Sequence, residues 1–316
     1  MIIVLSDIDN FVGNQMSFNL YFAGGEQVPW TFNENDNCGK LYTFAVGPKR
    51  LDKYLSVETG KIFVDSGAYS VHHSGKEINI DEYITFINEH PNVTLYAVLD
   101  KIPYPVVNTE TVKDSAEITW NNYVYMLSKI KREYWDKIVP CYHFGEPIEY
   151  LHRIINGIDG YKPNYMAFGG RAGVTKDNLH KALHTFFNEI KQSSNPNIKV
   201  HGFGITQFET CDLFPFYSGD STTWLQTGKF GRIHTKIGRT TVCVSVEGEN
   251  GDRHINKYPQ YMQDMIREEI KENGFIYEDL ATKQKSRHLY NFLFFKKWAD
   301  NFEFKPKIET TRGSLF

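Results

Sequence analysis

The chain predicts an α/β fold, a (β/α)8 TIM-like barrel with C-terminal helices packed on it. Three observations predict it. Short apolar runs alternate with stretches of helical periodicity along most of the sequence, the pattern of parallel strands joined by crossover helices. Seven or eight such runs fall within 316 residues, which suits one closed barrel better than two open sheets. Many of the runs end in an acid, a histidine or paired glycines, as expected where barrel strands open onto a shared mouth. A doubly wound sheet is the competing arrangement. It would carry a Gly-x-Gly-x-x-Gly turn after the first strand, and Gly24-Gly25 does not extend to one.

The elements follow in order. Asn19 to Ala23 reads as a buried strand ending in the Gly24-Gly25 turn. Residues 26–60 read as irregular, broken by Pro29, Gly39 and Pro48. The strand Lys61-Ile62-Phe63-Val64 feeds directly into Asp65-Ser66-Gly67. Asp81 is expected to cap a helix through Tyr83, Ile84, Phe86 and Ile87, stopped by Pro91. A strand from Thr94 ends in Asp100. Val112, Ala116, Tyr123, Met126, Leu127 and Ile130 mark a helix over 109–131. A strand from Ile138 ends near His143, and the helix after it closes at Gly157.

The strand Tyr165 to Phe168 enters Gly169-Gly170, and Thr175 caps the next helix. The strand from Ile198 carries His201-Gly202. A short linking helix leads to Leu213 through Asp220, which brings a further acid. Thr241 to Val246 is the best candidate for the eighth strand. Two helices are expected in the tail, over about 259–271 and 280–298. The barrel domain is assigned to 1–255 and the helical extension of the same domain to 256–316.

A formal charge of −3 excludes a global positive field of the kind that announces nucleic acid, though not a local one. The four cysteines, Cys38, Cys141, Cys211 and Cys243, lack ligand spacing, so no bound zinc or other cofactor is expected. The apolar start, Met1 to Leu5, is too short for a signal peptide or a membrane span. A soluble protein with no membrane partner is expected.

Asp65-Ser66-Gly67-Ala68-Tyr69 resembles the Asp-Ser-Gly-Gly-aromatic motif of tRNA-guanine transglycosylases. Gly169-Gly170-Arg171-Ala172-Gly173 is similar to their Gly-Gly-Leu-Ala turn. His201-Gly202-Phe203-Gly204 stands where they have a Gly-ended strand before the nucleophile. Ser218-Gly219-Asp220-Ser221-Thr222-Thr223-Trp224 looks more like the acid-bearing segment of the DNA 7-deazaguanine transglycosylases of phages and bacteria, members of the same superfamily. The order holds from about residue 19 to 246. Three departures stand out. Ala68 replaces a glycine and Ser70 a glutamine, and no zinc site of three cysteines and a histidine follows Asp220. Without that metal subdomain, docking of tRNA in the family's manner is the weaker expectation.

The resemblance implies exchange of guanine in DNA for a 7-deazaguanine base such as preQ0, with tRNA as the alternative substrate. Such exchange needs a nucleophile to hold the sugar while one base leaves and another enters, and a carboxylate can do this. By resemblance Asp220 is the nucleophile and Asp65 the general acid/base. Asp100 would accept from the N1–H and 2-amino edge of the base. Tyr69 would stack on the base, and Gly169 and Gly170 would let the backbone approach it. Ser66, His143 and His201 complete the substrate-binding set. The location implied is the cytoplasm, that of the bacterial host if a phage encodes the chain.

From Ser221 to Val246 there is no acid, while Lys229, Arg232, Lys236 and Arg239 are present. This stretch is the candidate phosphate-binding segment. Two other classes compete. A lyase or aldolase barrel would want a strand-end lysine or a metal cluster. A catalytically inactive barrel that binds nucleic acid would have no need of both Asp65 and Asp220. The oligomeric state is not legible.

Overall fold

The computed structural model describes residues 17–68, 77–102, 109–170, 173–237 and 240–304. Tyr69, Arg171, Ala172 and Arg239 therefore lie outside the described residues. The main sheet is built from β1 (Asn19–Ala23), β2 (Cys38–Thr43), β3 (Lys61–Asp65), β4 (Leu95–Ala97), β5 (Ile138–Val139), β6 (Cys141–His143), β7 (Tyr165–Gly169), β8 (Lys199–Gly202) and β9 (Ser218–Ser221). Its order is β5-β4-β3-β2-β1-β9-β8-β7-β6, and every pairing is parallel.

The two ends of that order, β5 and β6, are halves of one run split at Pro140, which has no N–H to give a ladder. Its carbonyl still accepts from the Ala167 N–H at 2.8 Å. The order therefore returns on itself, and the nine strands make a nearly closed barrel of eight staves, as the alternation of strand and helix predicts. Both faces of each stave are covered, which is why the strands read as apolar runs with little alternation. The register Leu41↔Phe63↔Leu95 and Cys141↔Ala167↔His201 puts these residues on one face. Tyr21, Phe63 and His201 meet there edge to face, so that face is the filled interior.

The second stave corrects the expectation for residues 26–60. Cys38–Thr43 pairs with both β1 and β3, although Gly39 and Lys40 disguise it as a loop. Lys40 is buried because its ammonium meets Glu58 at 2.7 Å, and the Tyr42 hydroxyl donates to the same carboxylate at 2.7 Å. The eighth-strand expectation is corrected in turn. Thr240–Cys243 is β11, paired antiparallel with β10 (Arg232–Thr235) in a separate sheet. Ile233, Val242 and Val244 bury against the tail, with Ile266, Ile270 and Leu280.

The helices are α1 (Pro48–Leu55), α2 (Ile80–Glu89), α3 (Thr109–Lys129), α4 (Ile148–Asn156), α5 (Lys176–Gln192), α6 (Phe208–Leu213), α7 (Thr223–Lys229), α8 (Gln260–Glu272), α9 (Tyr277–Thr282) and α10 (Gln284–Asp300). Asn79, not Asp81, caps α2, because its side chain accepts from the N–H groups of Asp81 and Glu82 at 2.9 and 3.1 Å. Thr175 caps α5 as expected. No described helix is long and apolar enough to cross a membrane.

Between β1 and β2 the chain forms only a 3-10 turn, Gly25–Gln27, and no crossover helix. The tail covers that face. Phe292 of α10 is fully buried, with its ring 4.6 Å from Phe22 and 6.1 Å from Phe32, and Trp298 lies 5.1 Å from Phe18. Phe292→Ala should therefore cost about 3–5 kcal/mol of unfolding free energy, read from chemical denaturation. A loss below about 1 kcal/mol would mean that α10 is not part of the barrel core.

Candidate active site

Because every stave is parallel, all C-terminal ends open at one mouth. Asp65 ends β3, with Ser66 next to it. Asp100 stands three residues beyond β4. His143 ends β6, Gly169 ends β7, and His201 and Asp220 lie within β8 and β9. The register pairs Tyr21 with Asp220 and His201 with Ser218, which turns Asp220 and Ser218 to the same interior face as Tyr21 and His201. The three acids predicted from the sequence thus converge, and Asp65 feels the charges of both Asp100 and Asp220.

Each acid sits in a different environment. Asp65 Oδ2 accepts from the Gly67 N–H at 3.1 Å, in a turn that needs φ +91° at Gly67. Burial raises its pKa to about 7, and the charges of Asp100 and Asp220 add to the rise, while the N–H groups of Gly67 and Ser66 oppose it. Asp100 is built into a network. Its Oδ1 accepts from the Ser66 hydroxyl at 3.1 Å, and its Oδ2 lies 2.8 Å from His143 Nε2. Asp220 Oδ1 accepts from the Gly204 N–H at 2.9 Å and lies 3.2 Å from His201 Nε2.

Glu146 completes the Asp100 network and was missed by reading the sequence. Its two oxygens meet His143 Nδ1 at 2.7 Å and the His143 N–H at 2.9 Å. Gly145, at φ +86°, turns the chain so that Glu146 folds back onto the ring. An acid three residues past a strand-end histidine, just before the Pro147 that starts a helix, was the available signal. Burial disfavours charge on His143, yet the neighbouring Cys141 sulfur and the carboxylates of Glu146 and Asp100 on its two ring nitrogens outweigh it and hold its pKa well above the usual range. Glu146→Gln removes one of these charges and should lower stability by up to about 3 kcal/mol, with Glu146→Ala costing more. Equal melting of wild type and both variants would refute the buried charge pair.

Of the expected substrate-binding residues, Asp100 and Gly170 stand partly exposed at the mouth, while Ser66 is fully buried and donates to Asp100. His143 and His201 are 1% and 0% exposed, with both ring nitrogens of each engaged, so they hold the two acids instead of lining the opening. At Gly169 the space a Cβ would take is filled by Cys141 Sγ and His143 Cδ2, at 3.1 and 3.2 Å. Tyr69 lies outside the described residues.

The basic segment is the β10–β11 hairpin with its approach. Lys229 ends α7, Arg232 opens β10, and Lys236 follows β10 at the turn. Arg232 pairs with Cys243 at one end of the hairpin and Thr235 with Thr240 at the other, about 10 Å apart. Lys236 therefore sits apart from the other two. Its end borders a cleft of about 700 Å³ beside the mouth, lined by Thr206, Gln207, Thr223, Thr240 and Thr241. Arg239 lies outside the described residues.

Asp100, Cys141 and His143 offer three donor atoms within 4.8 Å of one another, a grouping that sequence spacing could not reveal. The donors are engaged with one another: His143 Nε2 lies 2.8 Å from Asp100 Oδ2, Glu146 holds Nδ1, and burial pushes the Cys141 thiol up to about 11. All four cysteines are free and buried. No protein-family model matches the chain, and no curated protein matches its sequence.

Proposed function

We propose that the protein is a glycosyltransferase that exchanges guanine in DNA for a 7-deazaguanine base such as preQ0, through a covalent glycosyl-aspartate. The observation that supports this reading is the division of labour among three carboxylates at one mouth. Asp65, with its pKa raised to about 7, can carry a proton at neutral pH and give it up. Asp220 is anchored through Oδ1 by two donors, and no described residue bonds Oδ2. Asp100 uses one acceptor site on each oxygen for Ser66 and His143. A carboxylate offers about four such sites, so one remains on each oxygen for a planar pair of N–H donors.

The steps follow from these environments. Asp220 Oδ2 attacks C1′ of the nucleotide, and the bond to guanine breaks as Asp65 protonates the leaving base. The covalent ester holds the sugar while guanine departs. Asp65, now ionised, takes a proton from the incoming base, whose nitrogen attacks C1′ and releases Asp220. Two displacements retain the configuration at C1′. Asp100 selects bases that present adjacent N–H groups in one plane, as guanine and 7-deazaguanines do.

Exchange of labelled guanine into DNA, run beside tRNA, tests the reading. Incorporation into DNA, with displacement by preQ0, is the expected result. Incorporation into tRNA alone would move the substrate to tRNA. Binding of DNA with no exchange into either would leave the inactive nucleic-acid-binding barrel.

A further inference from the structure

A chain of buried hydrogen bonds ends on Asp220. Tyr165 and Ser218 are 6% and 0% exposed, and the Tyr165 hydroxyl lies 2.6 Å from Ser218 Oγ. Ser218 Oγ in turn lies 2.7 Å from His201 Nδ1. Burial holds the Tyr165 phenol protonated well above its usual range, so it is a donor. Ser218 Oγ is its only partner among the described residues. Having accepted there, Ser218 can satisfy its own hydrogen on the remaining neighbour, His201 Nδ1. Nδ1 then accepts, and the ring proton sits on Nε2.

That proton faces Asp220 Oδ1 at 3.2 Å, and as a carboxylate Asp220 only accepts. The Gly204 N–H donates to the same oxygen at 2.9 Å. The rings of Phe63 and Phe203, each 4.7 Å from the imidazole, hold it edge to face. Reversing any bond in the chain would leave a buried donor without an acceptor, which costs about 1–3 kcal/mol.

We propose that His201 is the positioning residue of the nucleophile, a neutral imidazole with its proton on Nε2. The Tyr165–Ser218 chain sets this tautomer, which pins Asp220 by Oδ1 and leaves Oδ2 as the attacking oxygen. The catalytic part of this assignment rests on the transglycosylase reading, while the tautomer does not. A histidine on the stave beside the acid, a serine on the acid's own stave and a tyrosine two staves from it place four residues from three strands in one directed path.

The experiment uses the full chain carrying 15N-histidine. In wild type at neutral pH the His201 signals, assigned by their loss in H201Q, should show Nε2 protonated and Nδ1 bare. In S218A the tautomers should mix, and kcat for exchange should fall about 10- to 100-fold with KM for DNA unchanged. Y165F keeps the packing and should show a smaller change in the same direction. H201Q, which still presents an N–H donor, should retain more activity than H201A. An Nδ1-protonated ring or an imidazolium in wild type would overturn the proposal, as would an S218A enzyme with unaltered kcat. Failure of the transglycosylase reading would show separately, as no exchange on DNA or tRNA by a wild type whose tautomer is as stated.

Discussion

Asp220→Asn should abolish base exchange and eliminate the covalent protein–DNA adduct, leaving DNA binding intact. The substitution keeps an oxygen where Oδ1 accepts from Gly204 and faces His201. It removes the charge that attack on C1′ requires. Loss of a nucleophile from an assembled site costs about 10⁴-fold or more, beyond what a shifted side chain explains. A denaturing gel after incubation with guanine-containing DNA and preQ0 should show a slower protein band in wild type and none in D220N. A band of equal intensity in D220N would take the nucleophile's role from Asp220 and leave Asp65 or Asp100 as its successor.

Asp65→Asn should slow exchange by about 10²–10⁴-fold while leaving the fold and DNA binding in place. Its pH dependence carries more information than its rate. With the pKa raised to about 7, the protonated form that assists guanine departure is lost as pH climbs past neutrality. The first half-reaction of wild type should therefore decline above about pH 7, and D65N should lack that limb.

Stability gives a second readout of the same group. Between its ordinary value of 3.8 and about 7, Asp65 holds a proton in the folded protein that the unfolded chain has released. The folded state binds more protons in that window, so its stability falls as pH rises through it and stays lowered above. D65N carries no such burden, so it should be more stable than wild type at pH 8, and the advantage should shrink as pH drops towards 4. Thermal melts at several pH values measure this. A D65N protein that is less stable than wild type at pH 8 would mean that the Asp65 charge supports the fold.

Much of the architecture was legible because local rules were obeyed. Fully covered strands must be apolar along their length, and β1, β3, β7 and the split β5–β6 run are. Thr175 and Gly157 end their helices with the residues that capping and left-handed turns favour. The acids at the ends of β3, β4 and β9 could be grouped before any contact was known, since parallel staves send all their C-termini to one mouth. The sequence alone therefore determined the barrel, the side on which the site opens and the three carboxylates that meet there.

Tertiary structure decided the rest, because the deciding interactions join residues far apart in the chain. Cys38–Thr43 is a stave with a lysine buried in it, and the carboxylate that meets Lys40, Glu58, comes from outside the strand. Thr240–Cys243 is as apolar as a barrel strand, and what keeps it out is the surface that the tail helices offer instead. Glu146 and Tyr165 carried no chemical motif, and Ser218 had no role of its own in one, yet they fix the protons on His143 and His201. Sequence spacing grouped acids that share a mouth. Which acid is held, and through which oxygen, depends on donors from other staves within about 3 Å, and only the closed barrel brings them that near.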